Sequence, residues 1–147
     1  MVVAQATTST TAAALFEAHM QAELNGDLDA TMATMVEDPH LINLASGTGG
    51  QGAEGVREFY ATQLIGQFFP PDVEFISISR TVDGERLVDE LVIRFTHTEA
   101  IGHLLPGVAP TGRRVEMALV VIVGVREGKV KMAQCLCRSH LHTSQTH

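Results

Sequence analysis

At 147 residues, with 45% hydrophobic and 18% charged side chains, the chain has the length and balance of one globular domain. Its formal charge of −7 excludes the concentrated Lys and Arg of a phosphate-tracking surface, so no nucleic-acid role is expected. No window approaches the ~18 apolar residues of a membrane span, no secretory signal is apparent, and Cys135 and Cys137 are poorly placed to bond each other; a reducing cytoplasm is the expected compartment.

The Thr-rich opening over residues 1–10 reads as a disordered lead-in. From Thr11, the residues Leu15, Phe16, His19, Met20, Glu23 and Leu24 recur at helical spacing, and Asn25-Gly26 supplies the stop. Asp27 caps a second helix, Leu28 to Val36, which Pro39 cannot continue. HLINLA then reads as a short strand. The glycine-rich SGTGGQG reads as a flexible turn into a third helix, where Val56, Phe59, Tyr60, Leu64 and Phe68 form an apolar face ended by Pro70-Pro71.

The second half is all strand. VEFISISR and RLVDELVIRFTH join through Asp83-Gly84, VEMALVVIVGV and KVKMAQCLC through Glu127-Gly128, and the irregular loop LLPGVAPTG lies between the two hairpins. Helices first and hairpins after predict an α+β domain over residues 11–140, with a frayed tail over 141–147. The strand VEMALVVIVGV is apolar on both parities, so its outer face calls for cover and a homodimer is expected.

The densest chemical signal lies on one parity of RLVDELVIRFTH, where Leu87, Asp89, Leu91, Ile93, Phe95 and His97 share a wall. A carboxylate among apolar side chains is costly unless paired, hydrogen-bonded or protonated, and a carboxyl with a raised pKa is what a general acid or base needs near neutrality. His97 stands eight residues along, roughly 26 Å on a straight strand, so it belongs near the far end or rim. His40, with Asn43 on the opposite parity, is the expected proton-transfer partner of Asp89. His19 and Glu23, one helical turn apart, make a polar pair that seats either at a pocket mouth or in solvent. Tyr60 has the shape of a pocket wall with a usable hydroxyl.

Two other patterns carry less. Gly47, Gly49 and Gly52 satisfy GxGxxG, but the hairpins that follow rule out the parallel crossover units of a dinucleotide fold. Cys135, Cys137, His140 and His142 are soft ligand types without the spacing of a zinc site, so neither metal nor cofactor is expected.

The element order, together with TMATMVEDPHLINLASGTGGQG, ISRTVDGERLVDELVIRFTHT and LLPGVAPTGRRVE, resembles the SnoaL-like polyketide-cyclase branch of the nuclear-transport-factor-two-like superfamily over about residues 13 to 131. The resemblance implies a cone-shaped, curved antiparallel sheet with three N-terminal helices packed on its concave face and a pocket between them. It also implies cofactor-independent acid–base chemistry, as in a cyclase, dehydratase or isomerase, on a small apolar carbonyl-containing metabolite. Asp89 and His40 are then the catalytic pair, with His19, Glu23, Asn43, Tyr60, His97 and Gln134 around the pocket. Gln134 occupies a position where relatives tend to have histidine, which favours the alternative of a non-catalytic small-molecule-binding or dimerisation module. Relatives of this fold differ in chemistry, so fold alone does not assign the reaction.

Overall fold

The computed structural model describes residues 7–44, 46–65 and 69–140. Helix α1 (Thr7–Leu24) turns Ala12, Phe16, His19 and Ala22 inward at helical spacing and stops where expected. Gly26 adopts φ 71°, and the amide of Asp27 reaches back to the carbonyl of Ala22. The helix starts four residues before the expected Thr11; residues 1–6 of the lead-in and 141–147 of the tail, His142 included, lie outside the described residues.

Asp27 caps α2 (Leu28–Ala33) as predicted, its carboxylate accepting the amide of Ala30. The helix ends earlier than its sequence pattern suggests, because the Thr34 carbonyl is captured by the amide of Val130 and the chain passes straight into β1 (Met35–Asn43). Pro39 therefore lies in a strand, within the stretch where the register of β1 against its neighbour shifts and a missing N–H costs little.

A larger difference concerns the glycines. Residues Thr48–Gln51 form a strand, β2, paired antiparallel with β1, where the sequence reading expects a flexible turn. A side chain at Gly49 would collide with the Leu41 carbonyl, and one at Gly50 with the backbone of Gly55 in α3 (Gly52–Phe59). The glycines allow close backbone approach. After Phe59 the helix widens into a π-helical turn, Tyr60–Leu64, closed by the Ile65 amide on the Tyr60 carbonyl, so the predicted α-helix is α only to Phe59, and its expected end at Phe68 lies outside the described residues.

The long strands β3 (Glu74–Asp83), β4 (Arg86–Thr96), β5 (Arg114–Arg126) and β6 (Lys129–His140) form the two predicted hairpins. Glu127 and Gly128 both take positive φ, 52° and 73°, the geometry of a tight two-residue hairpin. The sheet has six strands in the order β2-β1-β6-β5-β4-β3, curved and unclosed, and it is mixed, because β1 runs parallel to β6. The three helices cover one face, giving the expected α+β architecture. Among the described residues no helix is long and apolar enough to cross a membrane.

Two apolar clusters flank an unfilled middle. One joins Ala12 and Phe16 of α1 to Val56, Leu87, Val123, Val125 and Val130; the other joins Ile93, Phe95, Val115, Met117 and Leu119 to Ile101 and Leu105 of the β4–β5 loop. The space between them is the candidate site.

Candidate functional site

A cavity of about 300 Å³ opens between the helices and the sheet. Its wall is mostly apolar, drawn from Phe16, Leu41, Leu64, Phe69, Ile93 and Val121 among others. The polar side chains reaching it come from separate elements: His19 and Glu23 from α1, Asn43 from β1, Tyr60 from the π turn, and His103 from the β4–β5 loop. This is the form of a small-molecule site, an apolar chamber with a few convergent polar groups.

His19 and Glu23 are not a solvated pair. His19 is 3% exposed, and its Nε2 lies 2.9 Å from Glu23 Oε1 and 3.0 Å from the hydroxyl of Tyr60. On the other side of the ring, Nδ1 is 2.7 Å from Thr34 Oγ1, whose own proton is directed at the Thr31 carbonyl 2.7 Å away. With that hydroxyl proton committed, Nδ1–H must donate to Thr34. The other ring nitrogen, Nε2, thus faces two oxygens at once, the Glu23 carboxyl and the Tyr60 hydroxyl. Burial, with the Glu23 charge and hydrogen bond adding to it, pushes the Tyr60 hydroxyl well above its ordinary pKa of 10, so it stays a donor.

The pair singled out from the sequence does not assemble. Asp89 is buried, 8% exposed, but lies outside the cavity wall. Arg80 on β3 faces it directly and grips it with both prongs, Nε to Oδ1 at 2.6 Å and Nη2 to Oδ2 at 2.8 Å. The third donor, Nη1, reaches Glu17 on α1 at 2.7 Å, and the guanidinium lies 5.5 Å from the centre of the Phe16 ring. The carboxylates of Asp89 and Glu17 hold Arg80 far above its usual pKa. His40 is exposed on β1, which β6 and β5 separate from β4, a gap of roughly 14 Å at ordinary strand spacing. His40 and Asp89 therefore cannot exchange a proton directly.

The remaining candidates divide. Asn43 is buried on the wall, donating to Thr48 Oγ1 at 3.2 Å. Gln134 contributes to the wall, yet it pairs with Ile42 and Ile122 on the opposite parity from Ala133 and Cys135, so strand alternation brings its backbone rather than its side chain to the chamber. His97 is fully buried at the base of the β4–β5 loop and outside the cavity wall. It accepts the Thr111 amide at Nδ1, while its backbone pairs with Arg113 and Gly112, so it latches the loop. Among the described residues, His97 Nε2 and His103 Nδ1 are the buried side-chain nitrogens without a hydrogen-bond partner, and no three His, Cys, Asp or Glu side chains converge as metal ligands.

Two site features escape the sequence reading. Arg80 lies opposite Asp89 because the two-residue turn is Gly84-Glu85, one residue beyond the Asp83-Gly84 read from the sequence, which would have set Leu87 there. His103 gives a fainter signal, an imidazole between Ile101 and Leu104 in a loop otherwise read for its prolines and glycines.

The fold is shared with solved structures. A candidate SnoaL-like polyketide cyclase from Jannaschia sp. CCS1 superposes with a TM-score of 0.67 at 20% identity, over 88% of this chain and 87% of that one. A candidate ketosteroid isomerase from Kribbella flavida DSM 17836 gives 0.61 at 13% identity over 90% and 81%. An LEH-like epoxide hydrolase from M. tuberculosis gives 0.61 at 18% over 88% and 84%. At these identities the likeness establishes the fold alone. No curated protein matches the chain in sequence. The family model described as the SnoaL-like domain matches residues 16–132, most of the chain including the cavity-facing residues of α1 and the π turn and strands β1 to β5, and the chain therefore belongs to the SnoaL-like domain family.

Proposed function

We propose that the cavity takes up a small, largely apolar, carbonyl-containing metabolite and moves a proton on it without a cofactor, with Glu23, His19 and Tyr60 in place of the Asp89 and His40 pair. The observation that carries this reading is the 2.9 Å contact between His19 Nε2 and Glu23 Oε1 on an apolar cavity wall. The Glu23 carboxylate removes a proton from carbon next to the carbonyl and returns it elsewhere on the same molecule. Tyr60, re-aimed from Glu23, donates to the enolate oxygen as charge develops there. His19, fixed from behind by Thr34, holds the carboxylate in place and balances its charge. Structural neighbours described as isomerase, cyclase and hydrolase support an enzymatic role without selecting among the three.

The test is deuterium exchange at the α carbon of 2-tetralone in heavy water, followed by NMR. Wild-type protein should accelerate exchange and Glu23→Gln should not; equal rates for the two would sink the base assignment. The competing reading, a binding module without turnover, draws on Gln134, and it gains if a bound ligand is never exchanged. We also propose that two copies pair through the outer sheet face, where Val88, Val92, Val120 and Ile122 are only half-buried and Leu136 is 41% exposed. Val120→Glu should shift the light-scattering mass from dimer to monomer, and a monomeric wild type would refute the pairing.

A further inference from the structure

Asn43 lies on the sheet side of the chamber, across from the helical side that carries His19, Glu23 and Tyr60. Leu41 and Asn43 share one parity of β1 and stand beside Ala133 and Cys135 of β6, and all four belong to the cavity wall. Asn43 is 6% exposed. Its Nδ2 donates to Thr48 Oγ1 at 3.2 Å, and that oxygen lies 2.7 Å from Ser46 Oγ, so the carboxamide is held from the β1–β2 hairpin. Its Oδ1 meets no donor among the described residues, and it is not sealed as His97 Nε2 and His103 Nδ1 are. The accessible part of this inward-facing side chain is therefore a fixed acceptor on the cavity wall.

Charge narrows what fits. Among the described residues of the wall there is no Lys or Arg to meet an anion, and its one carboxyl, Glu23, already faces His19 and Tyr60. A carboxylate or phosphate would lose its hydration there without a countercharge. A carbonyl or ether oxygen against Oδ1 would set lone pair against lone pair and leave the acceptor unmet. A hydroxyl brings the missing proton and no charge. Resting on the reading above that the cavity binds the reacting ketone, we infer that the substrate is an uncharged hydroxyketone. Its carbonyl lies at Tyr60 on the helical side, and a hydroxyl elsewhere on the same carbon frame donates to Asn43 Oδ1 on the sheet side. Asn43 is then a specificity-determining residue: it moves no proton on carbon, but it fixes which way round the molecule lies and so which α carbon faces Glu23.

The test titrates 2-tetralones carrying one hydroxyl on the aromatic ring, and their methyl ethers, against the full chain by calorimetry. At least one hydroxy isomer should bind about five- to tenfold more tightly than its ether. Asn43→Leu should erase that preference, whereas Asn43→Asp, which keeps an acceptor and has no N–H, should preserve it. In wild-type protein the favoured isomer, and not its ether, should shift the side-chain carbonyl ¹³C resonance of Asn43, which keeps the question answerable if a variant folds poorly. Equal affinities across the series, a preference that survives in Asn43→Leu, a preference lost in both variants, or an unmoved resonance would overturn the inference. Each of those results leaves the cavity reading intact as long as exchange of 2-tetralone still depends on Glu23. Failure of every tetralone to bind would overturn the cavity reading and this one with it.

Discussion

Helix α1 supports two polar clusters, one at Glu17 and one at His19 and Glu23, and they differ in what remains available. At the first, the planar fork of Arg80 takes both oxygens of Asp89 and one of Glu17, so each of its three nitrogens is committed to a carboxylate. It lies off the cavity and ties α1 to the β3–β4 hairpin. At the second, His19 Nε2 faces Glu23 and the Tyr60 hydroxyl on the wall of the cavity. A buried carboxylate is thus a poor marker of chemistry by itself. Unspent hydrogen-bonding capacity facing a cavity marks it better.

The contrast can be broken most directly through turnover. Glu23→Gln is expected to lower α-proton exchange by roughly 10²–10⁴-fold, the usual worth of a positioned acid–base group, whereas Asp89→Asn should change it less than about threefold. A matched loss in both variants would erase the distinction between the clusters.

Next in size is an acid limb in stability. His103 has a folded pKa of about 4 against an ordinary 6.5, so the unfolded chain takes up a proton there first. Its contribution is intact above pH 6.5 and is lost as pH falls toward 4, amounting to about 3 kcal/mol at the lower limit. Urea unfolding of wild type and His103→Phe across that range should diverge in slope by this amount; parallel curves would show that the ring is not held neutral.

The ion pair predicts a smaller cost. Asp89→Asn should destabilise by about 1–2 kcal/mol at pH 7, less than for a fully buried pair because Arg80 keeps 31% of its side chain in solvent. From its apolar strand neighbours alone, the same substitution would be expected to be neutral or stabilising. Denaturant midpoints decide between the two.

The smallest effect is also the cleanest to read. Tyr60 is the sole tyrosine and there is no tryptophan, so absorbance at 295 nm follows it alone. Its ionisation should be delayed well past pH 10, and the stability it lends, constant below pH 10, should fall as pH rises from there toward the raised value. Ionisation near 10 in the folded protein would mean the hydroxyl is not sealed between His19 and Glu23.

Much of the fold was legible because its signals are local. Asn25-Gly26, Asp27 and Glu127-Gly128 each act within a few residues and stand where the chain reads them, and the turn read at Asp83-Gly84 falls one residue later, at Gly84-Glu85. What was not legible depends on distant partners. Thr34 leaves its helix because Val130 pairs with it, and the Gly49 and Gly50 strand exists because Leu41 and Gly55 pack against it. The site follows the same rule. His19, Glu23 and Tyr60 were each visible as pocket candidates, but that they meet is a property of α1 crossing the π turn, 41 residues away in the chain. Asp89 misled because its partner lies across a hairpin, where the turn fixes the register and sits one residue beyond where the sequence reading placed it.

The parallel pairing of β1 with β6 has a kinetic consequence. Asn43 lies beside Cys135, so this edge of the chamber closes only after nearly the whole domain has been synthesised. Until then β1 has β2, α3 and α2 beside it, and the wall carrying Leu41 and Asn43 has no strand on its other side. Closing so long a loop is entropically expensive and gives little return before the final contacts form. The β3–β4 hairpin can pair locally before that, while the chamber waits for β6.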